Sequence, residues 1–369
     1  MATRKTPAAP APARRAPRKT APTASTARRP AAPRHQLIDL ALQGGGSHGA
    51  FTWGVLDRLL EEDGLRIEGI SGTSAGAMNA AVLVDGYERG GAEGARQALA
   101  TFWRAVSDAA RFSPLQRGPL DVLLGRWSLE GSPAFLAMDL MSRVLSPYDL
   151  NPFGINPLHD ILERSIDFDA LSKSKIKLFI TATNVRTGRG RVFRNAELTP
   201  DVLLASACLP NMFQAVQVDG QYYWDGGYSG NPTMTPLVRD SDADDVILVA
   251  VNPVERPDLP TGARAILDRI NEVSFNAGLL KELRMIALLR QMVDVNHSEG
   301  GRWAGMRIHL VRNDLGAVLD SSSKMSAEWA FLEMLHAEGR RAADRFLEKD
   351  GPSLGKQSSL DLDVLLEGV

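Results

Sequence analysis

The pentapeptide Gly72-Thr73-Ser74-Ala75-Gly76 lies between a β-like run at 65–71 and a small-residue helical run beginning at 77. A serine at so sharp a strand-to-helix turn takes a strained backbone conformation, and only small neighbours such as Gly72 and Gly76 let the two elements approach without clashing. The turn presents the Ser74 Oγ at a helix N-terminus, within reach of a carbonyl, which is the setting of a nucleophile. Five residues rich in Gly and Ala also recur by chance in flexible loops; the flanking strand and helix argue against that reading. A strand feeding straight into a helix is in addition the unit from which parallel sheets are built.

A second signal lies upstream. The strand-like run at 35–42 enters Gln43-Gly44-Gly45-Gly46-Ser47-His48-Gly49, and a helix-like run succeeds it at 50–62. Glycines let the backbone curl so that successive N–H groups point into one small space. Such a nest stabilises the oxyanion of a tetrahedral intermediate, and each donor removed typically costs ~10²–10³ in rate. Gly45 and Gly46 are the foremost donors, within a nest that runs from Gly44 to Gly49 and that the Ala75 N–H can join. Gly44, Gly46 and Gly49 also fit the dinucleotide fingerprint G-x-G-x-x-G, which requires an acidic residue at the end of the next strand. That strand ends in Ser71 and the elbow, with Glu68 inside it, and no Gly-Lys-Ser/Thr phosphate loop is present.

The third signal is Asp225-Gly226-Gly227, after a hairpin-like stretch at 216–224 that turns at Asp219-Gly220. An isolated Asp-Gly-Gly is most often a turn. Glycine nest, serine elbow and Asp-Gly-Gly in that order, however, resemble the patatin-like phospholipases, and the chain looks like a bacterial member of that family. Ala205-Ser206-Ala207-Cys208-Leu209-Pro210 is a further segment of the kind these proteins carry before the aspartate. The resemblance covers roughly residues 35–253.

That resemblance implies a three-layer α/β/α fold with a mostly parallel central sheet. It also implies a Ser-Asp dyad without histidine: Ser74 as nucleophile, Asp225 as general base, and an oxyanion hole drawn from Gly44, Gly45, Gly46, Gly49 and Ala75, with Gly72, Gly76, Gly226 and Gly227 as motif glycines. No metal or cofactor is expected. An aspartate with an ordinary pKa of about 3.9 is a poor base toward a serine hydroxyl, so such a site must desolvate Asp225 and hold it within hydrogen-bonding reach of Oγ. The chain departs from the family at His48, where the nest usually carries arginine. Imidazole titrates near neutrality, so His48 is a rival base, although a histidine opening a helix is more often packed or solvent-facing. A Ser-Asp-His triad would draw instead on His297, His309 or His336. None of the three is flanked by residues that mark a catalytic loop.

Composition divides the molecule. Residues 1–34 are rich in Ala, Pro, Thr, Lys and Arg, contain no acidic residue and carry nine positive charges, which leaves −11 on the remainder to give the net −2. The segment reads as a disordered tail, since it cannot bury enough apolar surface to order itself, and it lacks the apolar core of a secretory signal. Such an arm is attracted to anionic lipid head groups or, less in keeping with a lipid substrate, to nucleic acid; a solubilising role or contact with the acidic body is equally open. A single cysteine, Cys208, excludes an intramolecular disulfide and favours a reducing compartment. No stretch approaches the ~20 apolar residues needed to cross a bilayer. A cytoplasmic protein with peripheral membrane contact is expected, of unassigned oligomeric state.

Strands are expected at 37–42, 66–71, 177–184, 192–193, 214–218, 246–252 and 307–311, and helices at 50–62, 75–85, 92–109, 157–166, 200–207, 266–295 and 326–346. This makes 35–348 one catalytic domain followed by a C-terminal tail at 349–369. Both glycine-rich loops then fall at carboxyl ends of strands, where open α/β sheets place their ligands. Residues 115–153 break the alternation and are dense in Leu, Met, Phe and Trp between Pro and Gly. They are either core or a lid and acyl-binding wall: Trp127, Phe135, Met138, Met141 and Phe153 are buried in the first case and partly exposed in the second. Three functions fit: a lipid acyl hydrolase, an acyltransferase using the same dyad, and a non-catalytic lipid-binding scaffold. A nucleotide-binding oxidoreductase is a distant fourth. The lipid substrate and the position cleaved on it are not legible.

Overall fold

A computed structural model of the chain describes residues 1–3, 35–111, 113–293, 300–317 and 319–366. The chain divides into 1–34 and 35–369. The basic tail, beyond its first three residues, lies outside the described residues, and every strand and helix among the described residues belongs to the second unit.

Eight strands form one sheet: β1 (Gln36–Leu42), β2 (Leu65–Gly72), β3 (Lys177–Asn184), β4 (Gly190–Arg194), β5 (Val216–Val218), β6 (Gln221–Asp225), β7 (Asp245–Ala250) and β8 (Arg307–Arg312). Their order is β5-β6-β3-β2-β1-β7-β8, with β4 also paired to β3. The pairings from β3 through β2, β1 and β7 to β8 are parallel, whereas β4 and β6 run antiparallel to β3 and β5 runs antiparallel to β6. The helices are α1 (Gly49–Leu59), α2 (Ala75–Ala110), α3 (Pro119–Leu123), α4 (Pro133–Ser142), α5 (Pro147–Leu150), α6 (Pro157–Ser165), α7 (Phe168–Ser172), α8 (Pro200–Ser206), α9 (Thr235–Asp240), α10 (Ala263–Met292), α11 (Gly301–Gly305) and α12 (Trp329–Lys349).

Strand residues alternate between two cores, as a period of two requires when both faces are covered. Ile38, Leu40 and Leu42 of β1 and Ile247 and Val249 of β7 pack with α1, α2, α8 and α12. Ala41, Val246 and Leu248 face the opposite way, onto Leu237 of α9 and Leu279, Leu283 and Ile286 of α10. Helices thus cover both faces of a mostly parallel sheet, the expected α/β/α layering. No helix among the described residues is long and apolar enough to cross a membrane.

The helix break before 92 and the hairpin at 216–224 are as expected, whereas the segment after α12 differs through contacts with distant residues. The helices expected at 75–85 and 92–109 are the two helical runs of α2, separated where Gly90 and Gly91 leave helical backbone, Gly91 with a φ of +62°. The hairpin expected at 216–224 forms, as β5 and β6 joined at Asp219-Gly220, with Tyr222-Tyr223-Trp224 on β6. The C-terminal segment beyond α12 is no loose tail: Gly355 donates to Asp245 Oδ1 (3.0 Å), Leu360 donates to the Ile308 carbonyl (3.0 Å) and Leu362 is buried.

Candidate active site

Register sets the site. Gly72 at the end of β2 pairs with Ile180 of β3, and Asp225 at the end of β6 pairs with Ala182, two residues further along β3. The elbow and the aspartate therefore leave the sheet at the same level, on either side of one strand. Strand β1 lies on the other flank of β2 and delivers the glycine loop beside them.

Ser74 has φ 54° and ψ −124°, positive-φ backbone that side-chain-bearing residues rarely adopt. It is the N-cap of α2 and is buried. Close packing explains the glycine at 76: a Cβ there would stand 2.2 Å from the Leu42 carbonyl oxygen. The Ser74 N–H donates to Ser206 Oγ (2.9 Å), and Ser206 Oγ–H donates to the Thr181 carbonyl (2.7 Å). Thr73 Oγ1 donates to the Gly230 carbonyl (2.8 Å) and Ser71 Oγ to that of Thr233 (2.6 Å). These bonds tie the elbow to β3 and to the loop after Asp225.

Asp225 is 1% exposed. Its backbone N–H donates to the Cys208 carbonyl (2.7 Å), its Oδ1 accepts from the Gly227 N–H (2.7 Å), and the Ser74 side chain is a further hydrogen-bonding partner of the carboxylate. Burial pushes its pKa up to about 7, against the opposing pull of the Gly227 and Ser74 bonds. The aspartate is thus poised near neutrality. Gly226 packs against the Thr181 carbonyl, where a Cβ would come to 2.0 Å.

The glycine loop lies directly on the elbow, since a Cβ on Gly44 would meet Ser74 Cβ at 2.6 Å. Its five expected donors are not equivalent. The Gly44 N–H is taken by Asn231 Oδ1 (2.7 Å), and the Gly49 N–H turns back on the Gly46 and Ser47 carbonyls. Gly45, Gly46 and Ala75 keep N–H groups that bond nothing among the described residues, so the set of five narrows to three. Gly46 has a φ of +57°, and a Cβ on it would stand 2.4 Å from the Lys324 carbonyl.

None of the rival bases among the described residues bonds Ser74. His48 is buried, bonds Ser323 Oγ through Nε2 (2.8 Å) and stacks edge-on against Phe331. Burial, followed by the Lys324 and Arg256 charges, pushes its pKa down to about 3, so it stays neutral. His309 is buried between Asp245 and Ser359, and His336 bonds Asp57 and stacks on Trp53. His297 lies outside the described residues.

Sequence reasoning did not assign roles to Ser206, Asn231 and Gln43. The first two hold the Ser74 and Gly44 amides. Gln43 Oε1 accepts from the Val251 and Asn252 amides (2.9 and 3.0 Å), and its Nε2 donates to the Asn231 carbonyl (3.2 Å), locking the root of the loop to the end of β7. The legible signal was the polar residue close to each glycine motif, in segments that are otherwise apolar.

A cavity of about 590 Å³ opens beside the aspartate, lined in part by Ile155, Leu204, Cys208, Phe213 and Val216. Ser74 and Asp225 do not line it; Cys208, whose carbonyl accepts the Asp225 N–H, does. His159 and Asp160 of its lining, together with Glu163, bring potential cation ligands within 4.8 Å of one another, two of the three exposed.

The segment 115–153 divides between the two readings made of it. Phe135 is buried with Arg264 over its ring, and Trp127 is half-buried between Arg117 and Phe331. Met138 is half-buried, while Met141 and Phe153 are 45% and 86% exposed. Leu136, Leu140, Met141, Val144 and Leu145 all open to solvent along and just beyond α4. The segment is pinned at one end by the Arg117–Glu328 ion pair (2.6 Å) and at the other by Gln214 Nε2 donating to the Asn151 carbonyl (2.6 Å).

Comparison with known proteins adds the family. The model described as patatin-like phospholipase matches residues 40–238, more than half of the chain, a span that holds the glycine loop, the elbow and Asp225. Among solved structures, VipD from Legionella pneumophila is similar at 15% identity and a TM-score of 0.35, over 86% of this chain and 67% of that one. The type III effector protein ExoU is similar at 18% identity and a TM-score of 0.30, over 86% of this chain and 53% of that one. The structure of SpcU in complex with ExoU from the type III secretion system of Pseudomonas aeruginosa gives 20%, 0.28, 86% and 53%. This chain therefore spans about half the length of the ExoU chains it matches. No curated protein matches it.

Proposed function

The chain belongs to the patatin-like phospholipase family, a family of lipid hydrolases, and from that premise we propose that it cleaves fatty-acyl esters of lipids with Ser74 as nucleophile and Asp225 as general base. What supports this reading is the placing of Ser74, in positive-φ backbone and wedged against the glycine loop, across β3 from a buried carboxylate whose pKa burial pushes up to about 7. As the ester carbonyl enters, ionised Asp225 takes the Ser74 proton while Oγ bonds to the carbonyl carbon. The oxyanion so formed meets the amides of Gly45, Gly46 and Ala75. Collapse expels the alcohol, which receives the proton from Asp225, and leaves acyl-Ser74. Water then repeats the sequence, giving up a proton to Asp225 and releasing the fatty acid and free Ser74.

Supply of an acceptor alcohol in place of that water would make the same residues an acyltransferase. A non-catalytic scaffold is disfavoured, because a strained serine bonded to a buried carboxylate costs stability that lipid binding alone does not require. The exposed apolar face of α4 and the cavity beside Asp225 suit acyl chains, and the basic arm at 1–34 suits an anionic membrane surface. The test is a panel of phospholipid, lysophospholipid, glyceride and p-nitrophenyl esters with wild type, Ser74→Ala and Asp225→Asn. Wild type is expected to hydrolyse at least one class and both variants to lose activity by orders of magnitude while folded. A Ser74→Ala protein as active as wild type would overturn the assignment.

A further inference from the structure

The glycine loop carries a second polar layer that the reaction scheme does not use. Asn252, buried just beyond β7, donates from Nδ2 to the Gly44 carbonyl (2.7 Å), and Lys324 Nζ donates to Asn252 Oδ1 (2.8 Å). The Gly44 carbonyl and the Gly45 N–H belong to one peptide group. Drawing electron density toward the carbonyl oxygen makes the N–H a stronger donor, as in any cooperative hydrogen-bond chain, and the chain here begins at a cation in a low-dielectric setting. Lys324 sits on the turn Ser321–Met325, which is seated on the loop twice: its own carbonyl abuts Gly46, and Ser323 holds His48.

We propose that Lys324, acting through Asn252, is a positioning residue that polarises the Gly44–Gly45 peptide and strengthens the Gly45 N–H toward the oxyanion. The inference rests on the hydrolase reading and adds to it a source of positive charge beside a nest whose own side chain, His48, is neutral. The groups that face Lys324 are Glu272 and Asp268 of α10, Arg256 of the loop after β7, and His48. Glu272 is already engaged by Arg256 (2.5 Å) and Arg269 (3.2 Å). Burial is the main influence on Lys324 and holds its pKa below the usual lysine range. It therefore loses its charge, and the loop its polarisation, at a lower pH than an ordinary lysine would.

The experiment tracks kcat and KM against pH for a soluble ester in wild type, Lys324→Met and Lys324→Arg, with thermal melting to confirm folding. Removing an oxyanion donor costs ~10²–10³, so weakening one is expected to lower kcat by about tenfold in Lys324→Met with KM unchanged. As pH rises, wild type is expected to lose kcat before Lys324→Arg, whose guanidinium does not titrate, while Lys324→Met is low throughout. A Lys324→Met protein with wild-type kcat, or an alkaline limb that persists in both variants, would overturn the proposal. With Ser74→Ala inactive alongside, that result sinks the relay and leaves the hydrolase reading standing. The amide proton of Gly45, observed by NMR, supplies a readout independent of turnover: its resonance is expected to move upfield in Lys324→Met, and an unmoved resonance refutes the polarisation.

Discussion

Replacing Asp225 by asparagine is expected to abolish turnover and, at the same time, to stabilise the protein. Burial pushes this carboxyl from 3.8 up to about 7, so the folded state holds a proton that the unfolded chain releases near pH 4. Linkage fixes the sign: the acid adds nothing unfavourable below about pH 4, and its ionisation opposes folding increasingly as pH rises toward 7, after which the penalty is constant. Each unit is worth about 1.36 kcal/mol, which puts the penalty above pH 7 at about 4 kcal/mol. Asparagine keeps the shape and an oxygen for the Gly227 N–H (2.7 Å), presents an NH₂ to Ser74, and carries no charge to desolvate.

Urea denaturation of wild type and Asp225→Asn from pH 4 to pH 9 measures this directly. The difference between the two curves matters more than either, because Asp39 is also buried and pushed up to about 7, and it bends both curves alike. The variant is expected to match wild type near pH 4 and to exceed it by several kcal/mol at pH 8, while kcat/KM of wild type rises with pH up to about 7 as Asp225 ionises. A difference curve that is flat across this range would refute the claim that Asp225 is held near neutrality by desolvation. Retained turnover in the variant would refute its role as base.

Three further outcomes are expected. Ser206→Ala leaves the buried Ser74 N–H and Thr181 carbonyl without partners and should cost about 1–3 kcal/mol of stability, read by thermal or chemical denaturation, with a fall in kcat as the elbow relaxes. His48→Gln should keep kcat within a few-fold of wild type and leave the acid limb of the pH profile in place; loss of that limb would make the histidine the base after all. Charged substitutions in the exposed apolar segment, Leu140→Glu on α4 with Phe153→Asp beyond α5, should lower turnover of vesicle phospholipid at least tenfold while sparing a soluble ester, because a charge must leave water to follow an apolar face into lipid.

The parts of this fold that were legible in the sequence are those whose physics is local. A glycine at 76 announces a strand and helix in contact, and the apolar run around Ile38, Leu40 and Leu42 announces a strand buried on both faces; neither needs knowledge of a distant residue. The elements that were misread depend on partners far along the chain. The helix break at Gly90 and Gly91, by contrast, was legible, since the backbone leaves helical geometry at both. Residues 355–362 carry no periodicity, and their order comes from Asp245 and Ile308, more than forty residues away. The division within 115–153 has the same origin: Phe135 is covered by Arg264 and Trp127 by Arg117 and Phe331, while nothing comes back to cover Phe153.

The same distinction runs through the site. The glycine motifs were visible, but which amides remain available to a substrate was decided by Asn231, whose side chain takes Gly44, and by the helical turn that takes Gly49. A glycine-rich loop specifies that donors converge; the surrounding side chains specify how many are left over. Here three are left, at Gly45, Gly46 and Ala75, and they come from two different loops brought together by β1 and β2. Converging amides from separate strands cannot shift independently, since Gly44 is wedged against Ser74 Cβ and Gly76 against the Leu42 carbonyl. In the proposed reaction that rigidity would fix the donors before the oxyanion forms, and preorganised donors are what stabilise developing charge.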